Sequence, residues 1–195
     1  MAHIGRRRFF TNCSFFAAGA VSGPLIIRSL LAPAGAGHQK STGAEERIRQ
    51  LGIELRKPAK PPAPFEPAVL SGNILYVSGH GPRKPEGGFV KGKVGAGLTM
   101  EQGREAARLT GLDMLSTIRG ALGSLDRVVQ LLKVTGMVNS TDDFMQHPAV
   151  INGFSELMIE VFGEKPGKGA RSAVGMSGLP FGIPVEIEAV FEVRN

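Results

Sequence analysis

Two neighbouring segments decide the fold: Gly169-Ala170-Arg171-Ser172-Ala173-Val174, and Val185-Glu186-Ile187-Glu188-Ala189-Val190-Phe191-Glu192-Val193. In the second, Val185, Ile187, Ala189, Phe191 and Val193 share one face while Glu186, Glu188 and Glu192 share the other. That is the period of a half-buried strand. Residues 170–175 read as a shorter strand, and residues 178–184 carry the Gly and Pro of a turn. The two strands are therefore expected to pair as a hairpin, bringing the Arg171 guanidinium and the Glu186 carboxylate onto one sheet surface. An arginine opposite a glutamate is often a solvated cross-strand ion pair, worth less than ~1 kcal/mol. It can also be the polar centre of a site, and spacing alone leaves both readings open.

Working back from this pair, the chain alternates between the two regular periods. Residues 67–70, a Ser71-Gly72-Asn73 turn and residues 74–79 read as strand, tight turn, strand. That strand ends in Ser78-Gly79, where an N–H beside a hydroxyl can cradle a carboxylate or simply close a strand. Residues 89–94 are expected to add a third strand. Thr99 with Gln102 three positions on forms a capping box opening a helix over 100–122, and Gly123 stops it. Residues 127–139 are apolar and β-branched, as in a central strand, and Pro148 suits the first turn of a second helix ending near Phe162. The resulting order predicts an α+β fold, a mixed sheet of about six strands with two helices on one face.

Ahead of this domain, residues 41–51 favour a short helix. Five prolines over residues 57–67 then demand an extended arm, because proline cannot donate to a sheet. The start of the chain is different again. Arg6-Arg7-Arg8-Phe9-Phe10 precedes a 13-residue apolar, Ala/Gly-rich run from Phe15 to Ile27, and small-residue exits follow at Ala32-Pro33-Ala34 and Ala34-Gly35-Ala36. This has the form of a twin-arginine export signal, implying a periplasmic or secreted bacterial protein. An uncleaved anchor is the alternative, but the run contains Gly19, Gly23 and Pro24 and falls short of the roughly 20 residues that span a bilayer. Three segments result: 1–36 as export signal, 37–64 as short helix and arm, and 65–195 as the folded domain.

The net charge of +6 arises largely in the leader, where Arg6, Arg7, Arg8 and Arg28 meet no acid. Without those four, 19 basic residues face 17 acidic ones, so the domain offers no electrostatic footprint for nucleic acid. The single Cys13 allows neither an internal disulfide nor a thiolate metal site, and His3, His38, His80 and His147 lack metal-ligand spacing. No metal and no cofactor are expected.

Residues 65–193 resemble the YjgF/RidA family, whose fold is trimeric and chorismate-mutase-like. The likeness rests on Tyr76-Val77-Ser78-Gly79-x-x-Pro82, on Val150-Ile151-Asn152, and on Ala170-Arg171-Ser172-x-Val174 with Leu179-Pro180 and Val185-Glu186-Ile187-Glu188. The resemblance implies hydrolysis of reactive enamines and imines, such as 2-aminoacrylate, to a 2-keto acid and ammonium. Arg171 matches the residue that clamps the substrate carboxylate, as a planar fork that never deprotonates is suited to do. Glu186 matches the acid that positions and deprotonates water, a role typically worth about 10²–10⁴ in rate. Ser78 and the Gly79 N–H would hold the polar end of the substrate, Phe65 and Pro180 would line the pocket, and Asn152 would support it. The implied partners are a small carboxylate-bearing substrate and two further copies of the chain, with the pocket between subunits. Phe65 stands where a Tyr is common, Ala173 where a Cys is common and His80 where a Gln is common. These departures favour the alternative of a non-catalytic trimer that binds a small carboxylate metabolite. RNA cleavage, an activity attached to part of the family by name, is disfavoured by the near-neutral domain.

Overall fold

The structure is a computed structural model, and it describes residues 42–194 apart from 59 and 62. The export signal read on residues 1–36 lies outside the described residues. The elements run in the order α1 (Ala44–Gln50), β1 (Ala68–Ser71), β2 (Ile74–His80), β3 (Lys93–Val94), β4 (Gly97–Leu98), α2 (Met100–Leu122), β5 (Val128–Asn139), α3 (His147–Phe162), β6 (Ala170–Met176) and β7 (Val185–Val193). The local signals that start and stop α2 act as their chemistry requires. The Thr99 hydroxyl accepts from the Gln102 N–H while the Gln102 side chain accepts from the Thr99 N–H, and left-handed Gly123 closes the helix. Pro148 occupies the first turn of α3, where its missing N–H costs nothing.

The main sheet has five strands in the order β1-β2-β7-β5-β6; β3 and β4 form a separate two-stranded piece. Within the main sheet all neighbours are antiparallel except β5 and β6, which are parallel, as β3 and β4 are in theirs. The architecture is thus mixed α+β, with one strand fewer in the sheet than expected. The strand expected over 89–94 does not join it: Phe89 makes only an isolated bridge to Arg83, and the glycines around residues 87–97 turn the backbone repeatedly through positive φ.

A second correction bears on the site. The strands carrying Arg171 and Glu186 are not paired with each other, because β5 lies between them. Val134 of β5 is opposite Arg171 on one side and Ala189 on the other, while Met137 is opposite Val174 and Glu186. Parallel pairing of β5 with β6 requires a helical crossover, which α3 supplies. The short 177–184 connection then carries the chain past β5 to its far edge.

The core lies between the sheet and the two long helices. Leu75, Leu131, Val134, Ile187 and Phe191 of the sheet meet Met114, Leu115, Ile118, Phe154 and Leu157, all buried. The helices touch closely enough that a Cβ added at Gly153 would lie 2.0 Å from the Arg104 carbonyl oxygen. Outside this contact Arg104 pairs with Glu156, and Arg108 bonds Glu160 at 2.7 Å. The short α1 is fixed by Glu45, which accepts both prongs of Arg119 and the Leu125 N–H at 2.8 Å. Because the obstacle at Gly153 is backbone and cannot rotate aside, Gly153→Ala should separate α2 from α3 and cost about 2–3 kcal/mol, read as a lower denaturant midpoint at unchanged slope.

Candidate active site

Between Val77 and His80 the register of β2 against β7 slips: Val77 faces Ala189, but His80 faces Ile187, so β2 holds one extra residue. This bulge bends the strand at Ser78-Gly79 and opens a cavity of about 640 Å³ at its end. Five of the sequence-assigned residues, Phe65, Ser78, Gly79, Pro180 and Glu186, line that cavity.

Glu186 is its acid. It sits between the fully buried Val185 and Ile187, so its side chain leaves the sheet on the face away from the helices. Its carboxylate lies against the Gly79 backbone, where an added Cβ would fall 2.1 Å from Oε1. Glycine is needed at position 79 for that approach rather than for an unusual φ. Burial pushes the Glu186 carboxyl above its usual range, and the neighbouring Glu188 charge adds to the effect. The Ser78 hydroxyl donates to the Pro67 carbonyl at 3.2 Å, so towards the cavity it is an acceptor.

In the polar floor the sequence marked only His80, as a departure from the family pattern. His80 is buried, with Nδ1 2.7 Å from the Ser78 carbonyl and Nε2 2.8 Å from the Thr117 hydroxyl. Since a carbonyl only accepts, the proton belongs on Nδ1, and Nε2 accepts from Thr117. Burial holds the His80 pKa below its ordinary value and keeps the ring neutral, with the hydrogen bond to Ser78 and the Asp113 charge opposing. Arg83 lies 4.7 Å above the Phe89 ring, its Nε 3.4 Å from Asp113 Oδ1 but out of hydrogen-bonding line. Phe181 stacks on Phe89 with centroids 5.8 Å apart and planes 6° from parallel. The proline-rich arm closes one side through Lys60, Pro61 and Ala63, pinned where Arg56 donates to the Arg83 and Lys84 carbonyls. No local period marks these residues as a group, because five separate segments supply them.

Arg171 and Asn152 are elsewhere. Arg171 projects to the helix side of β6, where its Nη1 donates to Asn152 Oδ1 at 2.9 Å and Ser155 Oγ at 3.0 Å. Two strand spacings and three residues separate Arg171 from Glu186, about 14 Å between Cα positions, and they lie on opposite faces of the sheet. Among the described residues no cluster of three or more His, Cys, Asp or Glu could hold a metal.

The fold that carries this cavity is that of a known family. The family model described as "YjgF/chorismate mutase-like, putative endoribonuclease" matches residues 45–181, and the chain belongs to this YjgF/RidA family. It is 43% identical over 148 residues to Protein TCP17 of Trypanosoma cruzi, covering 76% of this chain and 92% of that one. A RutC family protein of Pyrococcus horikoshii is 34% identical over 133 residues, covering 67% and 88%. Among solved structures, the protein Atu1372 of Agrobacterium tumefaciens, of unknown function, superposes with a TM-score of 0.70 at 39% identity, over 78% of this chain and 94% of its own.

A carboxyl whose folded pKa is raised binds more protons in the folded state. Its ionisation therefore destabilises the fold as pH rises from the unfolded pKa through the folded one. Glu186→Gln should raise Tm relative to wild type at neutral pH, and the gain should vanish below the carboxylate range. Melting curves across that interval check the sign.

Proposed function

We propose that the protein hydrolyses small imines and enamines bearing a carboxylate, at a site shared by two copies of the chain. The observation that carries this reading is the division of the machinery. The cations lining the Glu186 cavity are Lys60 on the arm and Arg83, which lies over Phe89 beside Asp113, while Arg171 is held by Asn152 and Ser155 with Nη2 and Nε uncommitted among the described residues. A guanidinium so oriented is prepared for an anion supplied from outside the protomer. A ring of copies that sets the Arg171 edge of one against the Glu186 cavity of the next completes the set, and a homotrimer is the state we propose.

In the mechanism, Arg171 of one copy fixes the substrate carboxylate. Glu186 of its neighbour accepts a proton from water as the oxygen bonds to the imine carbon and the C=N π pair moves to nitrogen. Glu186 returns that proton to the nitrogen to give the carbinolamine, then takes the hydroxyl proton and passes it to the same nitrogen as the C–N bond breaks and the C=O bond forms, so that ammonia leaves, protonated in solution as ammonium. An enamine follows the same path after tautomerising to its imine. The raised pKa of Glu186 supports the shuttle, since it makes the carboxylate a stronger base than a solvated glutamate.

A second reading, a trimer that binds a small carboxylate without turning it over, is favoured by the Ser78 hydroxyl, whose proton is committed to Pro67. It predicts thermal stabilisation by 2-keto acids without faster imine loss. Export through residues 1–36 is a further proposal. Arg6→Lys with Arg7→Lys in the full chain should retain the protein in the cytoplasm of a bacterial host, as fractionation would show; unchanged export would rule out the twin-arginine route.

Arg171→Ala and Glu186→Gln should each abolish acceleration of keto-acid release from an enzymatically generated imine. Unfolded together and refolded as a mixture, the two inactive variants should regain roughly a quarter of wild-type activity, because random assembly pairs an intact Arg171 with an intact Glu186 in that fraction of sites. A mixture as inactive as its components would rule out the shared site.

A further inference from the structure

The cavity is furnished for more than a three-carbon substrate. We infer that its preferred substrates are 2-imino acids with a bulky aryl side chain, and that Phe181 selects the ring. This rests on the hydrolase reading and adds the substrate class. At about 640 Å³ the cavity is of the size that encloses drug-sized ligands, far larger than an aminoacrylate fills. One group of its polar residues comprises Glu186, Ser78 and the His80–Thr117 pair. The rest of the lining is mostly apolar, broken by Lys60 and the Arg83–Asp113 pair, and includes three aromatic rings, Phe65 and the stacked Phe89 and Phe181. A flat ring placed against these side chains would replace solvent on faces that are now open, since Phe65 is 44% exposed and Phe181 64%. The edge-and-face preferences of aromatic pairs suit that arrangement.

Phe181 is the more telling of the two. Its backbone has φ 58° and ψ 9°, the left-handed region, and it is the one non-glycine residue with positive φ among those described. A residue with a Cβ is disfavoured there, a bulky one especially, and Gly182 beside it also has positive φ. Neither burial nor a hydrogen bond of the side chain accounts for keeping a phenyl ring at this position. What the ring does is cover Phe89 and extend the aromatic wall to the cavity mouth. Strain retained at the rim of a site in this way points to a role in binding.

The experiment uses the full protein and two imines made in situ by an amino-acid oxidase, from phenylalanine and from alanine. It follows keto-acid release for turnover and uses calorimetry with phenylpyruvate and pyruvate for binding. Wild type should favour the benzyl over the methyl imine in kcat/KM by at least about tenfold, and bind phenylpyruvate the more tightly. Phe181→Gly, which relieves the backbone and so should fold, should reduce that preference by roughly tenfold, chiefly through KM, and Phe65→Ala should reduce it in the same direction. Turnover with no preference for the ring would overturn the aryl class while leaving the hydrolase intact. Equal loss on both imines in Phe181→Gly, or dissociation of the assembly, would make Phe181 an interface residue and overturn its selecting role. Neither turnover nor binding of either compound would overturn the hydrolase reading and this inference with it.

Discussion

The position of β5 governs the chemistry available to this molecule. By pairing in parallel with β6 and antiparallel with β7, it holds Arg171 and Glu186 two strands apart and on opposite faces. An extended sheet is stiff, and the strand between them carries Val134 and Val138 into the core, so no local adjustment brings the two groups together. Any reaction that needs both must recruit another molecule of the chain. This constraint makes assembly a condition of the proposed catalysis rather than an addition to it.

Within one copy the bulge at Ser78-Gly79 has the next largest effect. It interrupts the ladder, opens the end of β2 and lets a carboxylate rest against bare backbone. The same crowding that removes water from Glu186 raises its pKa, so position and reactivity share one cause. The floor behind it is inert by comparison: His80 is neutral and both ring nitrogens are engaged, which suits a fixed wall better than a second proton carrier.

The arm before the domain adds a wall to the cavity at the strand end. Arg56 ties it to the 83–84 backbone, Pro58 lies against Gly120 of α2, and α1 is clamped by the Glu45–Arg119 fork. Proline limits the freedom of the arm before it docks, so little conformational entropy is lost in placing it. The polar and the aromatic parts of the cavity lining are consequently built from segments distant in sequence, held by two charge-assisted anchors.

Much of this was legible in the chain. The capping box at Thr99, the stop at Gly123, Pro148 at the head of α3 and the strict alternation of β7 each rest on contacts within a few residues, which sequence specifies directly. Periodicity likewise named the buried face, from Val185 to Val193. Pairing order was not legible, because Arg171 and Glu186 follow one another with a turn between them, and only the crossover through α3 shows that β5 separates them. The strand expected over 89–94 shrank to Lys93–Val94 because the glycines around it take positive φ and turn the backbone away from an extended run. The family motifs named Ser78, Gly79, Arg171 and Glu186, yet the residues that enclose the cavity, Arg83, Phe89, Thr117 and Phe181, carry no common spacing. Sequence by itself determined the elements, the buried faces and the chemical groups, since these depend on local backbone chemistry and burial. Tertiary structure alone decided which groups share a cavity and which are held apart, because that depends on strand order and on contacts between segments far apart in the chain.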